Sequence, residues 1–286
     1  LALAVAARSG AEIVSCDSVQ VYRRFDIGAA KPTAAERAAV PHHLIDVAEW
    51  RDDYDAARYA ADAAAALAEI GARGRTAVVV GGTGLYLRAL LAQEFHQNLP
   101  KDDALRRELN ALPTEELARR LQQVDPTRAA AVHPNDRVRL VRGLEIATLL
   151  GRPMSSLAPA TASAQAPQAT ATVILDPPRR ELHAAIARRT AAMLAAGLVE
   201  EVRALRAAGV TATCKPMQSI GYKQAQAHLA GGASAIELPE LINAATRQYA
   251  KRQTTWFKKY AQGERLAVWE IDTTAARLAA LLAGQG

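Results

Sequence analysis

The sequence predicts an α/β fold, a parallel sheet flanked by helices, into which a helical insertion of about 97–165 is set. Three observations carry this. Thr76–Val80 (TAVVV) is a continuous apolar run, as in a strand buried on both faces of a parallel sheet, and it leads through Gly81-Gly82-Thr83-Gly84 into a helical segment. Glu12–Cys16 is a second short apolar run, with β-branched Ile13 and Val14, that stops at Asp17-Ser18. From Pro100 the strand signal disappears, and short amphipathic segments broken by prolines replace it.

The elements follow in order. Leu1–Gly10 has the apolar look of a leader peptide, but it lacks a basic leader, a cleavage site and an initiator Met. It reads as the middle of a helix whose beginning is missing from this sequence. Glu12–Cys16 is a strand, Tyr54–Ile70 an alanine-rich helix, Gly71–Arg75 a turn, Thr76–Val80 a strand and Leu85–Leu91 a helix. In the insertion, Lys101–Asn110, Thr114–Val124 and Val138–Leu150 read as helices separated by Pro113, Pro126 and Pro134. Ser155–Gln168, rich in Ala, Ser, Thr and Pro, reads as a mobile linker. Thr172–Leu175 returns to strand and is stopped by Asp176-Pro177-Pro178. Arg179–Ala208 is helical with a break near Gly197, Pro239–Tyr260 is a long final helix, and Leu266–Ile271 offers a last strand. The domains are therefore an α/β core, 1–96 with 166–286, and the insertion, 97–165.

Composition bounds the function. Half of the 286 residues are hydrophobic and 22% are charged, which excludes wholesale disorder. The formal charge of +6 suits a nucleic-acid or polyphosphate partner without requiring one. Cys16 and Cys214 cannot build a disulfide framework, so a reducing, cytoplasmic setting is expected. No apolar run reaches the roughly 18–20 residues that span a bilayer, so no membrane is involved.

Four constellations could carry chemistry. Asp17, at the C-terminal end of a central strand, points at the crevice where open α/β sheets bind ligands. It can serve as a general base or a metal ligand, or simply cap the next turn. Gly81–Gly84 lets backbone N–H groups approach an anion at a helix N-terminus, with the Thr83 hydroxyl as a further donor; a plain tight turn capped by Thr83 reads equally well. Arg137, Arg139 and Arg142 crowd one helix behind the cap pair Asn135-Asp136, as a basic patch or a solvated face. On the final helix Arg247, Lys251 and Lys258 share one face and Tyr249, Trp256 and Tyr260 another, as a cationic surface over a core stripe. His42-His43 cannot chelate one ion from a strand, because adjacent side chains point to opposite faces. No zinc spacing and no GxSxG motif occurs.

The chain resembles the tRNA dimethylallyltransferases, also called tRNA isopentenyltransferases. The resemblance lies in SCDSVQVYRRFDIGAAKP (15–32), PHHLIDV (41–47), VVVGGTGLYLRALL (78–91), HPNDRVRLVRGLE (133–145), 175–205, SIGYKQ (219–224) and TRQYAKRQTTWF (246–257). It implies a core like that of the P-loop NTPases, with nucleotide (ATP) binding and Mg²⁺ among the family's attributes. It also implies transfer of a dimethylallyl group from dimethylallyl diphosphate to N6 of the adenosine 3′ of the anticodon, in tRNAs reading codons that begin with U. Asp17 and Thr83 would be catalytic. Asp17, Ser18, Val19, Gln20, Thr83, Arg106, Val138, Arg139, Leu140, Val141, Arg142, Gln218, Ser219, Ile220, Gly221, Tyr222 and Lys223 would contact tRNA. Gly81, Gly82, Thr83, Lys223, Arg247 and Lys251 would hold the diphosphate, with backbone N–H groups at Gly81–Thr83 as donors. The insertion would grip the anticodon stem, and the enzyme would act as a monomer.

The family opens with a strand and a GPTxSGKT phosphate loop, whose Ser/Thr holds Mg²⁺. This sequence has no Gly-Lys pair, and Leu1 falls just after that motif's place. The sequence is thus expected to be a fragment that binds tRNA without turning over the diphosphate, and no metal ligand is assigned within it. Cys16 replaces a usual aliphatic residue, and Lys223 a frequent Arg. Three rivals stand beside this reading. Adenylate isopentenyltransferases lack a reason for the arginine-rich insertion, a small-molecule kinase would need the phosphate loop and an acceptor site, and a non-catalytic tRNA-binding protein is what a chain without that loop would be.

Overall fold

The computed structural model describes residues 1–92, 99–157, 171–261, 263–267 and 270–283. The chain forms two compact units, one of Leu1–Ala92 with Gln165–Gly286, the other of Gln93–Ala164.

The first unit begins with α1 (Ala2–Ser9), closed by Gly10 in the left-handed region at φ 68°. Next comes β1 (Glu12–Cys16), in which all five residues are buried. Then follow α2 (Ala34–Ala39), β2 (His42–His43), α3 (Ala56–Ala72), β3 (Ala77–Gly81) and α4 (Gly84–Ala92). The sheet has the order β2-β1-β3, all parallel, with Ile13 opposite His42 and Cys16 opposite Gly81. From central β1 the chain goes first to one side, to β2, and then to the other, to β3. That reversal opens a crevice beyond the C-terminal ends of β1 and β3, the usual ligand position in such sheets.

Local chemistry sets the helix starts. Thr33 and Glu36 form a reciprocal capping box on α2, the Thr33 N–H donating to Glu36 Oε2 at 2.7 Å. Asp55 caps α3 through the Ala57 and Arg58 N–H groups. The body of α3 buries Ala56, Tyr59, Ala63, Ala66 and Ile70, a helical stripe whose small residues let it lie close to the sheet.

The second unit is helical throughout its described residues: α5 (Asp103–Ala111), α6 (Thr114–Val124), α7 (Pro126–Ala131), α8 (Arg137–Leu150) and a single 3₁₀ turn at Met154–Ser156. Its core joins Leu109, Leu117, Leu121, Val132, Leu140, Val141 and Leu144. Fully buried Asp125 caps α7 at the Arg128 N–H and also accepts the N–H and hydroxyl of Ser155 at 2.9 and 2.5 Å. Ser155 is therefore anchored, whereas 158–168 of the expected linker lie outside the described residues.

The chain then returns with β4 (Val173–Leu175), α9 (Arg179–Ala195), α10 (Leu198–Ala207), α11 (Tyr222–Leu229), α12 (Leu238–Tyr260), β5 (Glu264–Leu266) and α13 (Ile271–Ala283). β4 and β5 pair in parallel as a separate two-stranded sheet. The strand expected at Leu266–Ile271 is corrected: the strand ends at Leu266, and Ile271 opens a helix with Asp272 in its first turn, where a carboxylate suits the helix dipole. Residues 268–269 lie outside the described residues.

At the N-terminal end of β1, Glu12 is 4% exposed and bound by Arg73 Nη2 at 2.8 Å and His43 Nε2 at 2.6 Å. The Arg73 hydrogen bond, followed by that of His43, holds its carboxyl below the usual range. A depressed carboxylate stabilises the fold above its unfolded pKa, and this stabilisation is lost as pH falls through the folded value. Glu12→Gln is expected to lower the unfolding free energy at pH 7 by about 1.5–3 kcal/mol. It should also flatten the loss of stability below about pH 4.5. Urea unfolding at a series of pH values measures both, and an acid limb identical to the parent's would contradict this role.

Candidate active site

Two turns meet beyond the C-terminal ends of β1 and β3. In the first, Asp17 Oδ1 accepts the Val19 and Gln20 N–H groups at 2.7 and 3.1 Å. One carboxylate oxygen thus caps the turn, and no described residue donates to the other. In the second, Thr83 starts α4 by accepting the Tyr86 and Leu87 N–H groups at its carbonyl. The two turns are joined side chain to backbone. The Ser18 N–H donates to Thr83 Oγ1 at 3.1 Å, and that hydroxyl lies 3.4 Å from Ser18 Oγ. Asp17, Ser18 and Thr83 therefore come together as the sequence suggests.

Other expected donors are otherwise engaged. The Thr83 N–H donates to the Cys16 carbonyl at 3.3 Å and is not directed at an anion. The Gly82 carbonyl accepts Gln253 Nε2 at 3.0 Å, and a Cβ on Gly82 would sit 2.0 Å from that nitrogen. Glycine here answers to the closeness of α12 as much as to any ligand. Gln20 closes its own loop: its amide donates to the Ala29 and Ala30 carbonyls and accepts the Ser15 hydroxyl. Cys16 is 2% exposed, and burial pushes its thiol up to about 11, so it packs as a small inert side chain.

The segment 218–223 is bound to the loop that follows Gln20 by a residue to which the sequence reading gave no role. Glu201, on α10, accepts the Asp26, Ile27 and Gly28 N–H groups at 3.0, 2.8 and 3.3 Å and the Tyr222 hydroxyl at 2.5 Å. Tyr222 is fully buried, and burial together with the Glu201 carboxylate raises its phenol. Gln218 donates to the Ala212 carbonyl, the Ser219 hydroxyl to the Pro216 carbonyl, and Gly221 turns into α11 at φ 92°. Ile220 is half-buried, which leaves Lys223 as the exposed cation of the segment.

On α12, Arg247 pairs with Glu240 at 2.5 Å. Lys251 lines an open groove of ≈ 320 Å³ with Arg252, Thr255, Trp256, Lys259 and Tyr260. Arg252 and Lys259 are cations the sequence reading passed over, although they adjoin Lys251 and Lys258.

In the helical unit, the proposed contacts of α8 divide. Val138 is 80% exposed, and Arg139 points outward with Asp136 at 3.0 Å, whereas Leu140 and Val141 are buried in the core. Five consecutive residues of a helix cannot share one face: the side chains of Leu140 and Val141 turn to the core, and those of Val138 and Arg139 turn outward. Arg137 is bound to the Asn110 and Leu112 carbonyls and Thr114. Arg106 and Arg142 converge on Glu145, at 2.8 and 2.5 Å. Burial would push the Glu145 carboxyl up, but hydrogen bonds from the Asp102 N–H, Arg142 and Arg106 outweigh it and hold it down. It thus stays ionised and orients both guanidiniums.

Known proteins are similar to this chain in sequence and in fold. The profile of the family described as IPP transferase matches residues 20–260. A tRNA dimethylallyltransferase of Citrifermentans bemidjiense is 49% identical over 259 residues, 91% of this chain and 84% of that protein. One from Anaeromyxobacter dehalogenans is 49% identical over 94% of this chain and 89% of its own length. Among solved structures, a full-length tRNA isopentenylpyrophosphate transferase from Bacillus halodurans superposes with a TM-score of 0.70 at 34% identity, covering 99% of this chain and 91% of that one. A eukaryotic dimethylallyltransferase captured acting on tRNA superposes with a TM-score of 0.78 at 25% identity, covering all of this chain and 75% of that one.

Proposed function

The chain belongs to the IPP transferase family, and from that premise we propose that it transfers a dimethylallyl group from dimethylallyl diphosphate to N6 of the adenosine 3′ of the anticodon in tRNA. The observation that carries the chemistry is the meeting of Asp17 and Thr83, through Ser18, at the crevice of a parallel sheet.

The exocyclic N6 lone pair is delocalised into the purine, so the nucleophile is weak. The Asp17 carboxylate, fixed through Oδ1 by two backbone N–H groups, can accept a hydrogen bond from N6 at its other oxygen. It then takes one N6 proton as the N6–carbon bond forms and the bond from the allylic carbon to the diphosphate oxygen breaks. The departing diphosphate gains negative charge. The Thr83 hydroxyl can donate to it, with Lys223 and Lys251 as candidate cations. The Thr83 N–H, held by Cys16, takes no part. Arg247, tied to Glu240, would reach an anion only by leaving that pair.

Mg²⁺ fits as a companion of the diphosphate rather than as a resident ion. Among the described residues no three His, Cys, Asp or Glu side chains gather to hold a metal. A phosphate-borne Mg²⁺ takes phosphate oxygens and water as most of its ligands, so the free Asp17 oxygen stays with N6. When bound, it neutralises charge on the leaving group.

For tRNA, the exposed set is Arg139, Val138, Gln218 and Lys223, with Arg106 and Arg142 held ready by Glu145. The target base leaves its stack to reach Asp17, as in other enzymes that act on a base. Among the described residues no helix is long and apolar enough to cross a membrane.

Asp17→Asn is expected to leave tRNA affinity nearly intact and to slow single-turnover transfer by about 100- to 10,000-fold, because the amide still accepts a hydrogen bond but removes no proton. A rate within about threefold of the parent removes Asp17 from the chemistry.

Arg139→Ala is expected to weaken binding of all substrate tRNAs alike and to reduce the slope of log K against log salt by about 0.7–0.9. Filter binding across a salt series measures it, and an unchanged slope makes Arg139 a solvated side chain.

A further inference from the structure

Thr83 is held from two sides. On one side stands the Asp17–Ser18 turn. On the other stands α12, which approaches the glycine turn so closely that a Cβ on Gly84 would lie 2.4 Å from the Trp256 ring. Tyr249, Gln253 and Trp256, at i, i+4 and i+7, form one face of this helix.

Two polar atoms of that face converge on one acceptor. Gln253 Nε2 donates to the Gly82 carbonyl at 3.0 Å, and the Tyr249 hydroxyl donates to the same carbonyl at 3.4 Å. This carbonyl belongs to the peptide unit whose N–H is that of Thr83, and that N–H donates to the Cys16 carbonyl at 3.3 Å. A peptide group is planar, so fixing its oxygen from α12 and its N–H from β1 fixes the plane and with it the Thr83 Cα. The Thr83 hydroxyl, carried on that fixed Cα, is met by the Ser18 N–H at 3.1 Å and by the Tyr249 phenol. Burial, with the nearby Asp17 charge, raises the Tyr249 phenol, so it remains a donor.

We propose that Tyr249 and Gln253 are positioning residues: they clamp the Gly82–Thr83 peptide against β1 and so aim the Thr83 hydroxyl at the reacting diphosphate. This rests on the functional reading of Thr83 above. Neither residue touches substrate in this account. Their effect passes through Thr83, so it belongs in kcat rather than in substrate binding.

Gln253→Glu in the full-length protein keeps the size of the side chain and replaces its donor by a carboxylate facing a carbonyl oxygen. At pH 8 its kcat is expected to fall about 10- to 100-fold. The tRNA affinity and the KM for dimethylallyl diphosphate should stay within about twofold. As pH falls toward 5 the glutamic acid regains a proton to donate, so the ratio of variant to parent kcat should rise, a recovery that mere structural damage would not show. Amide hydrogen exchange at Thr83 should quicken in the variant at pH 8 and slow again at pH 5 relative to the parent. Tyr249→Phe removes only a hydroxyl and guards against a variant that fails to fold; its kcat should fall about threefold, with faster Thr83 exchange. Unchanged kcat with unchanged Thr83 exchange in a folded variant overturns the clamp, as does a loss of kcat that does not recover at low pH in Gln253→Glu. A parent protein without transfer activity refutes the functional reading instead, and Thr83 exchange in the variants still decides whether the clamp exists.

Discussion

The site depends on one pairing, the parallel register of β1 with β3 that sets Cys16 opposite Gly81. Each strand ends where its partner ends. The residues just beyond, Asp17-Ser18 on one side and Gly82-Thr83 on the other, are therefore delivered to the same place. A shift of register by one residue would turn the completely buried β1 out of phase with its neighbours and separate the two turns. The hydrogen bonds of Thr83, to Ser18 through its hydroxyl and to Cys16 through its N–H, continue the ladder by other means. Folding the sheet and assembling the site are thus one event.

Around this pairing, carboxylates organise loops and arginines. Glu201 gathers three successive backbone N–H groups and a buried tyrosine, joining residues 26–28 to the segment that precedes Lys223. Glu145 gathers Arg106, Arg142 and a helix-start N–H within the helical unit. Asp46 binds Lys31 at 2.5 Å and Arg37 at 2.7 Å, and Lys31, 2% exposed, also reaches the Tyr22 carbonyl and Asp26. Each carboxylate takes several hydrogen bonds, which is the condition under which burying a charge is tolerable. The consequence for function is local order: Arg106 and Arg142 within the helical unit, and the backbone leading to Lys223 within the other unit, are held before a ligand arrives, and less ordering remains to oppose binding.

Much of this was legible in the sequence, for physical reasons. β1 and β3 are continuous apolar runs, α12 is a long amphipathic segment, and Asp17 and Thr83 sit where the strands stop. β2 was not legible as a sheet strand, because it is only two histidines long and exists through its pairing with Ile13 and Val14. Glu201 lies some 175 residues from the N–H groups it binds, and beside Glu200 in the first turn of a helix it looks like a solvated, dipole-facing carboxylate. The outward and inward residues of 138–142 could have been separated by helical periodicity alone, which puts Leu140 and Val141 with Leu144 on the core side. Gln253 lies within the quoted stretch 246–257, but nothing there names its partner, a backbone carbonyl supplied by the fold.

The central claim is that Asp17 and Thr83 act as one catalytic unit because the β1–β3 register joins them. A double-mutant cycle of Asp17→Asn and Thr83→Ala, read as single-turnover transfer to tRNA with both substrates saturating, tests it most directly. The account predicts strong coupling, with the double variant about as slow as the slower single variant, as for residues that work together on one transition state. Rate losses that simply multiply would show two independent groups and contradict it.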